Sequence, residues 1–77
     1  NDVKIDYTIT PANSGYNLTL TANRFARAVC VMTGDADAVL SDNYMDILPG
    51  QKYTIRINTT LTTEKLKKQI KILHYGD

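Results

Sequence analysis

The sequence predicts a small all-β sandwich of six to seven short strands, with a short helical turn near residues 62–68. Three observations predict it. Apolar residues recur with a period of two over much of the chain, the spacing by which an extended segment offers one face to a core. Turn-forming clusters at Asn13-Ser14-Gly15, Thr33-Gly34-Asp35, Ser41-Asp42-Asn43 and Pro49-Gly50 interrupt that alternation about once per strand length. Finally, 77 residues hold one domain, 1–77, and no second core. A chain of this size buries only about 60% of the surface it exposes when unfolded, so a thin layer shared by two sheets suits it.

Taken in order, Val3, Ile5, Tyr7 and Ile9 alternate with Lys4, Asp6 and Thr8, giving a first strand that ends before a turn at Pro11 and Asn13-Ser14-Gly15. Tyr16, Leu18, Leu20 and Ala22 alternate with Asn17, Thr19 and Thr21, and form the second arm of that hairpin. The third run, Ala26 to Thr33, is nearly continuous in apolar residues, as a strand central in its sheet can be. Its Cys30 is expected to be a buried, inert thiol. Ala38-Val39-Leu40 is a brief strand, Tyr44 to Leu48 is extended, and Tyr53, Ile55 and Ile57 alternate with Thr54, Arg56 and Asn58 in another strand. Glu64 to Lys68 are good helix formers that Thr62 or Thr63 can cap. A last strand puts Ile70 and Ile72 on one face, with Lys71 and Leu73 on the other.

The run Ile47-Leu48-Pro49-Gly50-Gln51-Lys52-Tyr53 has the makings of a tyrosine corner: an apolar anchor, a tight turn, then a tyrosine opening the next strand. The Tyr53 hydroxyl is expected to bond back to upstream backbone and lock a crossing between sheets.

Nine basic against eight acidic residues leave a formal charge of +1, without the basic excess that a nucleic-acid partner demands. No apolar run approaches the roughly 20 residues of a membrane-spanning helix, so neither nucleic acid nor membrane is an expected partner. The chain opens on Asn1-Asp2-Val3 and reads as a piece of a longer protein or a processed chain. Sequons occur at Asn17-Leu18-Thr19 and Asn58-Thr59-Thr60, and a lone cysteine leaves the redox compartment open.

Candidate chemistry is sparse. Glycoside hydrolysis needs two carboxylates facing each other across a cleft, about 5 to 10 Å apart. Asp42 with Asp46, and Asp35 with Asp37, are the pairs near enough in sequence, but a thin sandwich offers no deep cleft and solvated loop acids are the reading adopted. Asp35, Asp37, Asp42, Asn43 and Asp46 also supply hard oxygen ligands, yet their spacing is not that of a calcium loop: Val39 stands at position five from Asp35, and no glycine or closing glutamate follows. Asx turns explain them better. His74 has no second imidazole or cysteine at ligand spacing. No catalytic, cofactor-binding or metal residue is therefore assigned. Lys65, Lys67, Lys68 and Lys71 read as a solvated face, with an acidic patch on a sister domain as the alternative.

Two segments carry a resemblance. Asn23-Arg24-Phe25-Ala26-Arg27-Ala28-Val29, followed by Leu40-Ser41-Asp42-Asn43-Tyr44-Met45-Asp46-Ile47-Leu48-Pro49-Gly50, resembles the C-terminal immunoglobulin-like domain of β-mannosidases in glycoside hydrolase family two. The basic helix and closing strand from Glu64 to Leu73 fit the same pattern, so the likeness covers about three quarters of the chain. Met45 and Cys30 stand where that family often has aromatics. Tyr53 replaces a frequently charged residue and makes its corner resemble that of fibronectin type III domains. The resemblance implies an immunoglobulin-like (or fibronectin type III-like) β-sandwich from the C-terminal end of a larger glycoside hydrolase. It implies a domain that is not itself an enzyme, has no cofactor, and packs on other domains of a parent hydrolysing terminal β-mannosides. Asp42, Asn43, Asp46, Pro49 and Gly50 are then loop makers, and a periplasmic or secreted location is favoured. The alternatives are a carbohydrate-binding module, for which Tyr44 and Tyr75 are the candidate platform because Tyr7, Tyr16 and Tyr53 fall on core-facing positions, and an adhesion or scaffold domain.

Overall fold

Two strands that alternate in phase and meet at a polar turn pair into a hairpin. In the computed structural model, which describes residues 2–76, β1 (Ile5–Ala12) runs antiparallel to β2 (Gly15–Ala22), with Ile9 opposite Leu18 and Tyr7 opposite Leu20. Asn13 and Ser14 make the turn, Ser14 with a φ of 63°. Gly15 is required by what lies beside it: a Cβ there would run into the Ile57 carbonyl of the next strand. Pro11 lies inside β1 and not in the turn as the sequence suggests. β1 is an edge strand, so a residue without an N–H is tolerated there. Ahead of β1 the chain is held by Asn23, whose Oδ1 accepts from the Lys4 N–H (2.7 Å) and whose Nδ2 donates to the Asp2 carbonyl (3.1 Å).

β2 pairs on its other side with β6 (Tyr53–Asn58), and β6 pairs with the two-residue β4 (Val39–Leu40), completing a four-stranded antiparallel sheet of order β1-β2-β6-β4. A three-stranded sheet of order β5-β3-β7 packs against it, formed by β5 (Met45–Ile47), β3 (Ala26–Met32) and β7 (Lys71–Leu73). Leu18, Leu20, Ile55 and Ile57 from the first sheet meet Val29, Val31, Met45 and Ile47 from the second in one buried layer. The expected all-β sandwich is thus observed, with seven strands among the described residues.

β3 is central, as its apolar run predicts, but continuity of that run has a second cause. The pairing with β5 shifts between Ala26 and Val29, and Ala28 takes a φ of 49°. This bulge changes which side chains point inward, so Ala26, Val29 and Val31 are buried without strict alternation. Cys30 is the casualty of the resulting phase. It is half-buried on the outer side of the sheet and is not the core thiol the sequence suggests.

Helix α1 (Thr63–Gln69) starts where predicted. The Thr62 side chain accepts from the Lys65 N–H, Glu64 sits in the first turn, and Lys67 and Lys68 face the negative end of the helix dipole. Leu66 is its one buried side chain. Tyr16 ties the helix entry to β2 by donating from its hydroxyl to the Leu61 carbonyl at 2.7 Å. Tyr7, expected on a core-facing position, is 39% exposed because β1 has no outer neighbour to cover it.

Candidate functional site

The segment Ser41–Gly50 carries the most specific sequence signal, and the fold shows what its residues do. It leaves β4 in one sheet and enters β5 in the other, so its backbone must change partners within a few residues. Every buried N–H or C=O passing through such a crossing has to find a new hydrogen bond. The polar side chains supply them.

Ser41 finishes the ladder with β6: its N–H donates to the Arg56 carbonyl, and its Oγ accepts from the Arg56 N–H, both at 2.9 Å. Asn43 stands in for a strand partner. Its Oδ1 accepts from the Val31 N–H at 2.8 Å while its Nδ2 donates to the Val31 carbonyl at 3.1 Å, so one carboxamide satisfies both backbone groups of a core residue. The same Oδ1 accepts from the Tyr44 N–H at 3.0 Å, which helps hold Tyr44 at a φ of 57°, an uncommon conformation for a bulky residue. Asp46 Oδ1 accepts from the N–H of Ala28 at 2.9 Å and so satisfies the bulge of β3. Pro49 and Gly50 then make a turn closed by the Gln51 N–H on the Leu48 carbonyl at 3.1 Å, with Gly50 at φ 81° and proline before it.

Tyr53 needs a correction. Its hydroxyl donates to Asp42 Oδ2 at 2.6 Å and not to upstream backbone, so the corner is closed side chain to side chain. Asp42 Oδ1 accepts from the Asn43 N–H at 2.8 Å. The bond to a carboxylate holds the Tyr53 phenol above its ordinary range, with lesser help from desolvation and from the Asp42 charge. The hydroxyl-to-backbone bond expected of Tyr53 is made instead by Tyr16.

A second polar group lies at the opposite loop. Asp35 Oδ2 accepts from the Thr59 hydroxyl at 2.7 Å, and its Oδ1 accepts from the Asp37 N–H at 3.0 Å. These two bonds hold the Asp35 carboxyl below its ordinary value, the Thr59 bond being the larger cause. A general acid needs the reverse, a carboxyl pushed upward by apolar surroundings. The groove beside it, lined by Ser14, Asp35, Asp37, Val39, Asn58, Thr59 and Thr60, is open, as is a larger one over Thr8, Thr19, Thr21 and Thr54. Asp42, Asp46 and Asp35 all spend carboxylate oxygens on the chain's own donors. Among the described residues no three acidic, histidine or cysteine side chains are grouped so as to hold a metal ion.

Tyr44 and Tyr75, far apart in sequence, are both brought to the outer side of the three-stranded sheet. The neighbouring Cys30 holds the Tyr44 phenol above its ordinary range. Leu73 lies opposite Cys30 on β7, and two residues later Tyr75 sets its ring 5.2 Å from the Arg27 guanidinium carbon.

These features make a sandwich whose most specific segment is a structural crossing. A family model described as the Ig-fold domain Ig_mannosidase matches residues 1–77. The chain belongs to the mannosidase Ig-fold domain family. No curated protein matches it. For a mannosidase Ig-fold domain, the crossing residues Asp42, Asn43, Asp46, Pro49 and Gly50 are explained by the backbone they satisfy or turn.

Proposed function

We infer that this domain is a non-catalytic structural accessory domain of a β-mannosidase-like enzyme of glycoside hydrolase family two. On this reading the parent hydrolyses terminal β-mannosides with carboxylates located on another domain. The observation that supports it best is the employment of the acids. Asp42, Asp46 and Asp35 bond to backbone N–H groups and hydroxyls of this chain, and the groove beside Asp35 is too open to exclude water from a reacting sugar.

The test is to express the parent enzyme with and without these 77 residues. Removal is expected to lower the parent's unfolding temperature and its activity half-life on heating. A truncated enzyme as stable and as active as the intact one would sink the proposal.

A second reading has one observation in its favour: Tyr44 and Tyr75, 70% and 72% exposed, share one face. Stacked sugars are bound on such rings. Yet Arg27 already occupies one face of the Tyr75 ring. Titration with manno-oligosaccharides decides it, since saturable binding abolished by Tyr44→Ala and Tyr75→Ala would establish a carbohydrate-binding module.

A further inference from the structure

The outer face of the β5-β3-β7 sheet carries an apolar strip among three charged side chains, Arg27 on β3, Asp46 on β5 and Lys71 directly opposite Met32 on β7. Cys30 and Met32 on β3 alternate outward from the buried Val29 and Val31, and Cys30 lies directly opposite Leu73. Met32 is 50% exposed, Leu73 45%, Tyr44 70% and Tyr75 72%. Tyr44 interacts with Cys30, and the Tyr75 ring lies against Arg27, which places both rings beside β3. Tyr44 is also held at φ 57° while mostly exposed. Backbone strain at a residue that contributes little to this domain's core points to a use for its ring elsewhere.

Area and charge select the occupant. At about 150–250 Å² for a whole aromatic side chain, the exposed fractions make a strip of roughly 500 Å², or about 700 Å² if Phe25 and Leu48 beyond the β3–β5 ladder join it. That falls short of the ~1,000 Å² per partner of an obligate homodimer. It fits a contact between domains of one chain, typically about 600–1,500 Å², where a linker supplies a high effective concentration. Arg27 and Lys71 bring two positive charges to the strip, against one carboxylate, Asp46, which keeps its charge while its Oδ1 accepts from the Ala28 N–H. The balance of these three is positive.

We propose that this face is the docking surface by which the domain seats on a neighbouring domain of its own polypeptide, against an apolar patch bordered by carboxylates. The proposal rests on the accessory-domain reading above. Tyr44, Met32, Leu73 and Tyr75 fill the apolar contact, and Arg27 and Lys71 meet the partner's acids.

The experiment uses the full-length parent enzyme. Limited proteolysis measures the rate at which the domain is released from wild type, from Met32→Glu/Leu73→Glu, from Arg27→Glu, and from Thr8→Glu/Thr10→Glu on the opposite outer face. The first double variant is expected to release the domain on the order of tenfold faster, because it places charge in a desolvated contact. Arg27→Glu touches no core residue; it should accelerate release several-fold and most strongly at low salt. The threonine-face variant should match wild type. Equal rates for wild type, Met32→Glu/Leu73→Glu and Arg27→Glu would overturn the docking face. If deletion of residues 1–77 still destabilises the parent in that case, the accessory reading survives without it. If deletion has no effect, the accessory reading fails first. A change from dimer to monomer in sedimentation with unaltered release, or protection of the face by manno-oligosaccharides alone, would assign the strip to a second copy or to sugar, and overturn the proposal equally.

Discussion

The two outer faces of this sandwich are built on the same backbone geometry and differ in how much apolar surface they carry. On the four-stranded sheet, Thr8, Thr10, Asn17, Thr19, Thr21, Thr54 and Arg56 alternate with the core residues, with Val39 the apolar exception at the far edge. Thr19 and Thr54 share a hydrogen bond at 3.0 Å across the strands. On the three-stranded sheet the corresponding positions hold Cys30, Met32 and Leu73 together with Lys71 and Asp46, flanked by Tyr44 and Tyr75. β-branched threonines suit a strand and keep water on one side. Thioether and isobutyl side chains gain nothing from water, and a phenol gains only at its hydroxyl. The difference teaches that period-two alternation identifies the buried face but does not establish that the other face is solvated.

Four predictions sharpen or break this contrast. The common layer should be the most sensitive to change. Leu18→Ala, at a side chain with no exposed surface, should cost about 2–5 kcal/mol in denaturant unfolding. A much smaller cost would mean that the two sheets do not share one tight core. Next comes the seam between the sheets. Asn43→Ala strips partners from the N–H and C=O of Val31 and should cost about 2–3 kcal/mol, whereas Asn43→Asp restores the acceptor and not the donor and should fall between.

The third prediction concerns pH, and the two ends of the scale probe different loops. Tyr53 is held above its ordinary 10.0 by Asp42. A group raised on folding stabilises fully below its unfolded pKa and loses that contribution as pH rises through the folded value. The stability difference between wild type and Tyr53→Phe should therefore be complete below pH 10 and shrink above it. Asp35 is held below its ordinary 3.8 by Thr59 and the Asp37 N–H. Its contribution is present above that value and fades as pH falls through the folded one, so Thr59→Val should flatten the acid limb of the stability curve. Thermal melts across pH read both. The smallest effect is expected on the solvated face: Thr19→Val exchanges the Thr54 bond for a comparably β-favouring side chain and should stay within about 0.5 kcal/mol. A large loss there would show that face to be more than a hydrated surface.

How much was legible follows from the range of each signal. β1, β2 and β6 were written in local alternation, and α1 in its capping threonine and its run of helix formers, because these features need only near neighbours along the chain. The crossing was visible as Ser41-Asp42-Asn43 and Pro49-Gly50, and the resemblance attached a family to it. The bond each residue would make was another matter. The sequence directs the Tyr53 hydroxyl to backbone, but it bonds Asp42, eleven residues away, while Tyr16 reaches the Leu61 carbonyl across 45 positions. Hydroxyl partners depend on which loops meet in space.

By itself, then, the chain's order of residues determined which segments extend, where they turn, and that their inner faces fuse into one layer, since periodicity and turn chemistry act over a few residues. Tertiary structure decided the rest. It placed a bulge at Ala28 that turned Cys30 outward, set Asn43 beside Val31, and gathered Tyr44, Leu73 and Tyr75 from distant positions onto one face. The reason is physical: strand order and register are settled by pairing between segments far apart along the chain, and no local pattern carries that information.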